Sequence, residues 1–119
     1  MQYIEHNGLT FAVADRTEPI RTPQDALDRM VTAQYDRGCD TLIVYRESLP
    51  EAFFDLKTGL AGEILQKFSN YRMRLAIVGD CDGYPGGALR AFIRECNRGD
   101  RVFWADSLED ALRKFAPKT

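Results

Sequence analysis

Thr41-Leu42-Ile43-Val44-Tyr45 decides the fold class. The run is short, apolar and β-branched. It predicts a strand buried on both faces, which is the pattern of a parallel sheet. Leu75-Ala76-Ile77-Val78 repeats the pattern, and Val102-Phe103-Trp104 follows it more weakly. Helix-periodic segments separate these runs. Leu56, Leu60, Ile64, Leu65 and Phe68 predict a helix over 55–68, with Gly59 and Gly62 inside it. Ala88, Leu89, Phe92, Ile93 and Cys96 predict another over 87–97, with Gly99 as its stop.

Working outward, the chain opens with two β-prone stretches joined by Asn7-Gly8. That pair favours a type I′ turn, so a hairpin is expected. Thr22-Pro23-Gln24-Asp25 reads as a capped helix start. Ala26, Leu27, Met30, Val31 and Tyr35 form its apolar face, and Gly38 is its left-handed stop. Ser107 with Asp110 opens a last helix, whose apolar face is Leu108, Ala111, Leu112 and Phe115, with Pro117 beyond its end. The resulting order is β-β-α-β-α-β-α-β-α. It predicts a single α/β domain over 1–119, with a mainly parallel sheet and an N-terminal hairpin. The segments 16–21 and 79–86 and the last few residues are expected to be mobile.

The 119 residues carry 16 Lys and Arg against 18 Asp and Glu, a net charge of -2. This balance gives no global attraction to nucleic acid or anionic lipid. With 45% hydrophobic and 29% charged residues the composition is globular, not disordered. No apolar run approaches a membrane span, and the start lacks a signal peptide's pattern. A cytoplasmic protein is expected. Cys39, Cys81 and Cys96 are few, odd in number and widely spaced, which fits a reducing compartment. Cys39 and Cys96 read as buried small hydrophobes, and Cys81 as the most exposed of the three.

Four sets of residues are candidates for function. Asp15, Arg46, Asp80 and Cys81 fall at or just beyond the carboxyl ends of predicted strands, where open α/β sheets bind ligands. Asp106 lies at such an end too, and a convergent acidic set there could hold Mg²⁺. No metal or other cofactor is assigned, because the acids also read as strand ends and caps. Asp80-Cys81-Asp82-Gly83-Tyr84-Pro85-Gly86-Gly87 is rich in turn formers but has neither EF-hand nor P-loop spacing. Its last two glycines could offer N–H groups to an anion. Arg90, Arg94 and Arg98 recur at helical spacing as a possible contact face for phosphates or an acidic protein. The lack of interleaved aromatics there disfavours nucleic acid. Finally, Asp55, Thr58, Gly59 and Gly62 make a small, polar helix start that a partner could approach closely. Thr58 would be placed for phosphorylation near a helix dipole.

Phe53-Phe54-Asp55-Leu56-Lys57-Thr58-Gly59-Leu60-Ala61-Gly62-Glu63-Ile64-Leu65-Gln66-Lys67-Phe68, Asn70-Tyr71-Arg72, Leu75-Ala76-Ile77-Val78-Gly79-Asp80 and Arg94-Glu95-Cys96-Asn97-Arg98-Gly99 carry a resemblance. They resemble the bacterial family known as domain of unknown function 4180, over the central and C-terminal two thirds of the chain. That family implies kinship and a cytoplasmic setting but no activity. The element order is also similar to STAS domains, the fold of bacterial anti-sigma factor antagonists. Those carry an Asp-Ser-Ser-Gly-Leu-type string whose Ser a partner kinase phosphorylates. Asp55…Thr58-Gly59-Leu60 is similar in placement, so the resemblance implies Thr58 as the modified hydroxyl. Here Leu56-Lys57 lengthens the string, one hydroxyl replaces two, and Ser48 to Phe54 is an added segment.

Together these readings favour a non-catalytic regulatory or protein-interaction module with a protein partner. Its expected binding surface is the start of the 55–68 helix with the neighbouring 79–87 loop. A small-molecule-binding protein or enzyme, with its site at the carboxyl edge of the sheet, is the alternative. A homodimer stays open.

Overall fold

The structure, a computed structural model, describes residues 1–81, 83–84 and 87–115. β1 (Gln2–His6) and β2 (Leu9–Val13) form the expected hairpin. Asn7 (φ 53°) and Gly8 (φ 79°) both take positive φ, as a type I′ turn requires. β3 (Thr41–Tyr45), β4 (Arg74–Val78) and β5 (Val102–Ala105) then add in parallel to β2, giving the order β1-β2-β3-β4-β5.

Strands added one after another in one direction, with right-handed crossovers, put all their connecting helices on one face. α1 (Pro23–Arg37), α2 (Glu51–Phe54), α3 (Leu60–Asn70) and α4 (Ala88–Arg98) accordingly cover Ala12, Leu42, Val44, Leu75, Ile77 and Trp104. α5 (Leu108–Lys114) follows the last strand, so no later strand constrains it. It crosses the opposite face with Phe115, over Phe11, Val13, Ile43, Ala76 and Phe103. The Phe115 ring lies 5.8 Å from Phe11 and 5.0 Å from Phe103. Both faces are therefore buried, and Thr41, Leu42, Ile43 and Val44 are all buried in succession.

The termini of α1 follow the sequence. Thr22 Oγ1 accepts from the Asp25 N–H, and Gly38 closes the helix at φ 63°. Asp25 accepts from the Arg21 N–H, one residue before the cap, so the box is shifted outward. Val31 and Tyr35 are corrections to the apolar face, since they stand 48% and 89% exposed. The buried side is Ala26, Met30 and Ala33, whose spacing of four and three keeps one stripe, and Val31 falls a step of rotation beyond Met30. Ser107 caps α5 through the Asp110 N–H as expected. Pro117 lies outside the described residues.

The predicted 55–68 helix is the main correction. α2, a 3-10 turn over Leu56–Thr58 and α3 replace it. Asp55 accepts from the Lys57 N–H, and the Thr58 hydroxyl faces the Ala52 carbonyl at 2.6 Å. These side-chain bonds offer the backbone an alternative to continuous helix. Gly59 at φ 79° then sits between the turn and α3. Gly59 is therefore a boundary residue, and only Gly62 lies within a helix.

Candidate functional site

The carboxyl ends of β2, β3 and β4 deliver Asp15, Arg46 and Asp80 to one end of the sheet. Asp15 turns back on its own loop. It accepts from Thr17 N–H at 3.1 Å and Thr17 Oγ1 at 3.0 Å. These bonds, the N–H first, hold its carboxyl below the usual range. It borders a small hollow of about 320 Å³ shared with Gln2, Arg16 and Tyr45, where the Arg16 guanidinium sits 3.9 Å from the Tyr45 ring centre.

Arg46 runs the other way, across Gly79. A Cβ at Gly79 would stand 2.8 Å from Arg46 Cβ, and Gly79 has φ +143°. Only glycine meets both demands without strain. Beyond it, Arg46 Nη2 donates to the Tyr84 hydroxyl at 2.7 Å. The guanidinium carbon lies 5.1 Å from the Tyr84 ring and 5.7 Å from the Phe54 ring. Phe54 and Tyr84 stack on each other at 4.8 Å and 17°. Burial pushes the Tyr84 phenol up, and the Arg46 charge opposes that shift. Arg46 Nε is buried without a hydrogen-bond partner, and no ion pair to Arg46 occurs among the described residues.

This aromatic clamp ties Tyr84 to α2 and shapes a groove of about 730 Å³. One wall is Glu51, Phe54, Asp55 and Thr58; the other is Tyr84 with the start of α4. Gly87 begins α4 without a side-chain cap. Asp82, Pro85 and Gly86 lie outside the described residues, and with Gly86 goes part of the expected double-glycine anion site. Asp80 is exposed and Cys81 half-buried, its Sγ 3.9 Å from the Gly79 carbonyl. Cys96 is also half-buried, so only Cys39 is the fully buried thiol. Burial pushes the thiols of Cys39 and Cys96 up, which makes them poor nucleophiles.

The sequence grouping is therefore rearranged. Arg46 meets Tyr84 and Gly79, while Asp15 opens on a separate hollow. Asp106 borders a third, with Asp110 and Lys114. Among the described residues no three His, Cys, Asp or Glu side chains gather to hold a metal ion. Asp55 and Thr58 line the groove, whereas Gly59 and Gly62 line another depression, against Pro23, Glu63 and Gln66. A Cβ at either glycine would meet nothing within 4 Å. Close helix–sheet packing is thus not the reason for them.

The sequence profile described as Domain of unknown function (DUF4180) matches residues 6–115. The chain belongs to this family. No curated protein and no solved structure matches the chain.

In this DUF4180 domain, Arg90, Arg94 and Arg98 are exposed on α4, and Arg98 pairs with Glu95 at 3.5 Å. That pair stands open to solvent and is weak. Sequence reasoning did not anticipate the Phe54–Tyr84–Arg46 clamp. The available signal was an aromatic residue, Tyr84, in a loop otherwise made of turn formers. Among the described residues no helix is long and apolar enough to cross a membrane.

Proposed function

We propose that this DUF4180 domain is a non-catalytic cytoplasmic module of STAS-like type, regulatory or protein-binding, that recognises a protein through the groove between residues 51–58 on one side and Tyr84 with Gly87, Ala88 and Leu89 on the other. The observation that carries the reading is the convergence there of two segments far apart in sequence, fixed by the Arg46–Tyr84 bond. The groove walls offer exposed polar groups and a stacked aromatic pair, but none of the described lining residues is a histidine or cysteine. The N-terminal hairpin followed by alternating helices and parallel strands, with α2 added ahead of α3, and the placement of Asp55 and Thr58 just before α3 support the STAS-like comparison.

Thr58 is the residue this reading assigns to phosphorylation. Its exposed hydroxyl holds the 3-10 turn through the Ala52 carbonyl. A phosphate there would end that donation and add nearly two negative charges beside Asp55. The groove wall would change shape and sign together. Affinity purification from the native host, with mass spectrometry of partners and of Thr58, tests both claims. The reading expects a partner whose capture falls in Thr58→Glu. Equal capture by Thr58→Glu and wild type, with no phosphate on Thr58, contradicts the switch.

Two observations favour the small-molecule alternative. The groove volume falls within the range of roughly 300–1,000 Å³ typical of ligand clefts, and Arg46 Nε stands unpaired behind it. A thermal-shift screen of carboxylates, phosphates and divalent ions decides it. Stabilisation that disappears in Arg46→Ala supports a ligand site, and no stabilisation by any of them removes it.

A further inference from the structure

The two edges of the sheet are finished differently. At the β5 edge, the outward N–H of Trp104 donates to Asn97 Oδ1 at 2.9 Å, and Asn97 Nδ2 lies 3.5 Å from the Trp104 carbonyl. The α4 side chain thus occupies the positions a further strand would take. At the β1 edge, no backbone hydrogen bond outside the β1–β2 ladder involves Tyr3 or Glu5 among the described residues. In a two-residue type I′ hairpin the flanking residues, here His6 and Leu9, form the hydrogen-bonded pair. Alternation then turns Gln2, Ile4 and His6 toward β2, and Tyr3 and Glu5 outward. An edge with free N–H and C=O groups is a template for another strand.

We propose that β1 pairs antiparallel with β1 of a second copy of this chain, about a two-fold axis at Ile4, to form one continuous ten-stranded sheet. The register follows from the alternation. Tyr3 and Glu5 of one copy face Glu5 and Tyr3 of the other as hydrogen-bonded pairs, and Ile4 faces Ile4. Directly opposed residues share a face of the sheet. The Glu5 carboxylate is thereby brought to the side of Tyr3, over whose ring the Arg37 guanidinium sits at 4.9 Å. Asp36 on the same side is occupied by the Tyr3 hydroxyl at 3.1 Å. Neither Glu5 nor Arg37 has an ion-pair partner among the described residues. The two copies supply each other's missing charge twice over. Half-buried Ile4 supplies the apolar contact on the opposite face.

Sedimentation of the full chain over a concentration series tests this, with hydrogen exchange alongside. The expected result is a reversible dimer in which the Tyr3 and Glu5 amides slow with concentration while the Ile4 amide does not change. Glu5→Pro removes an outward N–H and leaves the hairpin ladder intact, so it should yield a monomer. Should Glu5→Pro fail to fold, the charge pair answers the same question. Glu5→Arg and Arg37→Glu should each weaken dimerisation about tenfold or more, and the double variant should restore it. A monomer up to about 1 mM, the weak end of specific association, overturns the proposal. So does a dimer that Glu5→Pro, Glu5→Arg and Arg37→Glu leave intact.

Discussion

Asp15 and Arg46 leave neighbouring parallel strands at the same end of the sheet, and the structure treats them in opposite ways. Asp15 completes its hydrogen bonds within two residues, through Thr17. Arg46 reaches across 38 positions to Tyr84 and keeps Nε buried and unpaired. A charge satisfied by its own turn shapes only that turn. A charge that spans two loops fixes the distance between them, and so creates the groove. Nearness to the carboxyl edge therefore does not define the candidate site; the range of each side chain's contacts does.

Changes at Gly79 should disturb this contrast most. Gly79→Ala places a Cβ 2.8 Å from Arg46 Cβ at a positive φ. It should lose roughly 2–4 kcal/mol in urea unfolding, from strain and overpacking. It should also raise hydrogen exchange around residue 84. Loss below about 0.5 kcal/mol would show that Arg46 does not need this path. Arg46→Ala should cost less, roughly 1–2 kcal/mol, from one charged hydrogen bond and weak cation–π contacts. Its signature is faster exchange at Gly79 and Tyr84 with no change in the Asp15 loop. Equal effects in both loops would erase the distinction.

Asp15→Asn should have the smallest effect, and one that depends on pH. The folded carboxyl titrates below its unfolded value, so its contribution is present above the unfolded pKa and is lost as pH falls through the folded pKa. Wild type and Asn variant should thus differ slightly near neutrality and converge in acid. Unfolding midpoints at a series of pH values check this, and a gap that widens in acid would reverse the assigned sign.

Much of the fold was legible because its signals are local. Asn7-Gly8 fixes the hairpin, Gly38 and Ser107 fix helix ends, and Thr41–Tyr45 reports burial on both faces. The 55–68 segment was misread because its apolar spacing continues through Gly59. What breaks the helix is a set of bonds made by Asp55 and Thr58, which apolar periodicity does not register. Gly59 and Gly62 look alike in sequence, yet one needs φ 79° and the other does not. Val31 and Tyr35 were misplaced because helical spacing gives a stripe but not its rotation to the core. The clamp was invisible for a simpler reason: its three members, Arg46, Phe54 and Tyr84, come from separate segments.

The most direct test of the groove uses Ala88→Glu, an exposed position on its wall. A carboxylate suits the first turn of α4, so folding should be spared, with a melting temperature within about 2 °C of wild type. Arg94→Glu, on the same helix outside the groove lining, is the control. Quantitative affinity purification from the native host should show a protein partner retained by wild type and Arg94→Glu and lost by Ala88→Glu. A partner held equally by all three would contradict the assignment of the groove as the recognition surface.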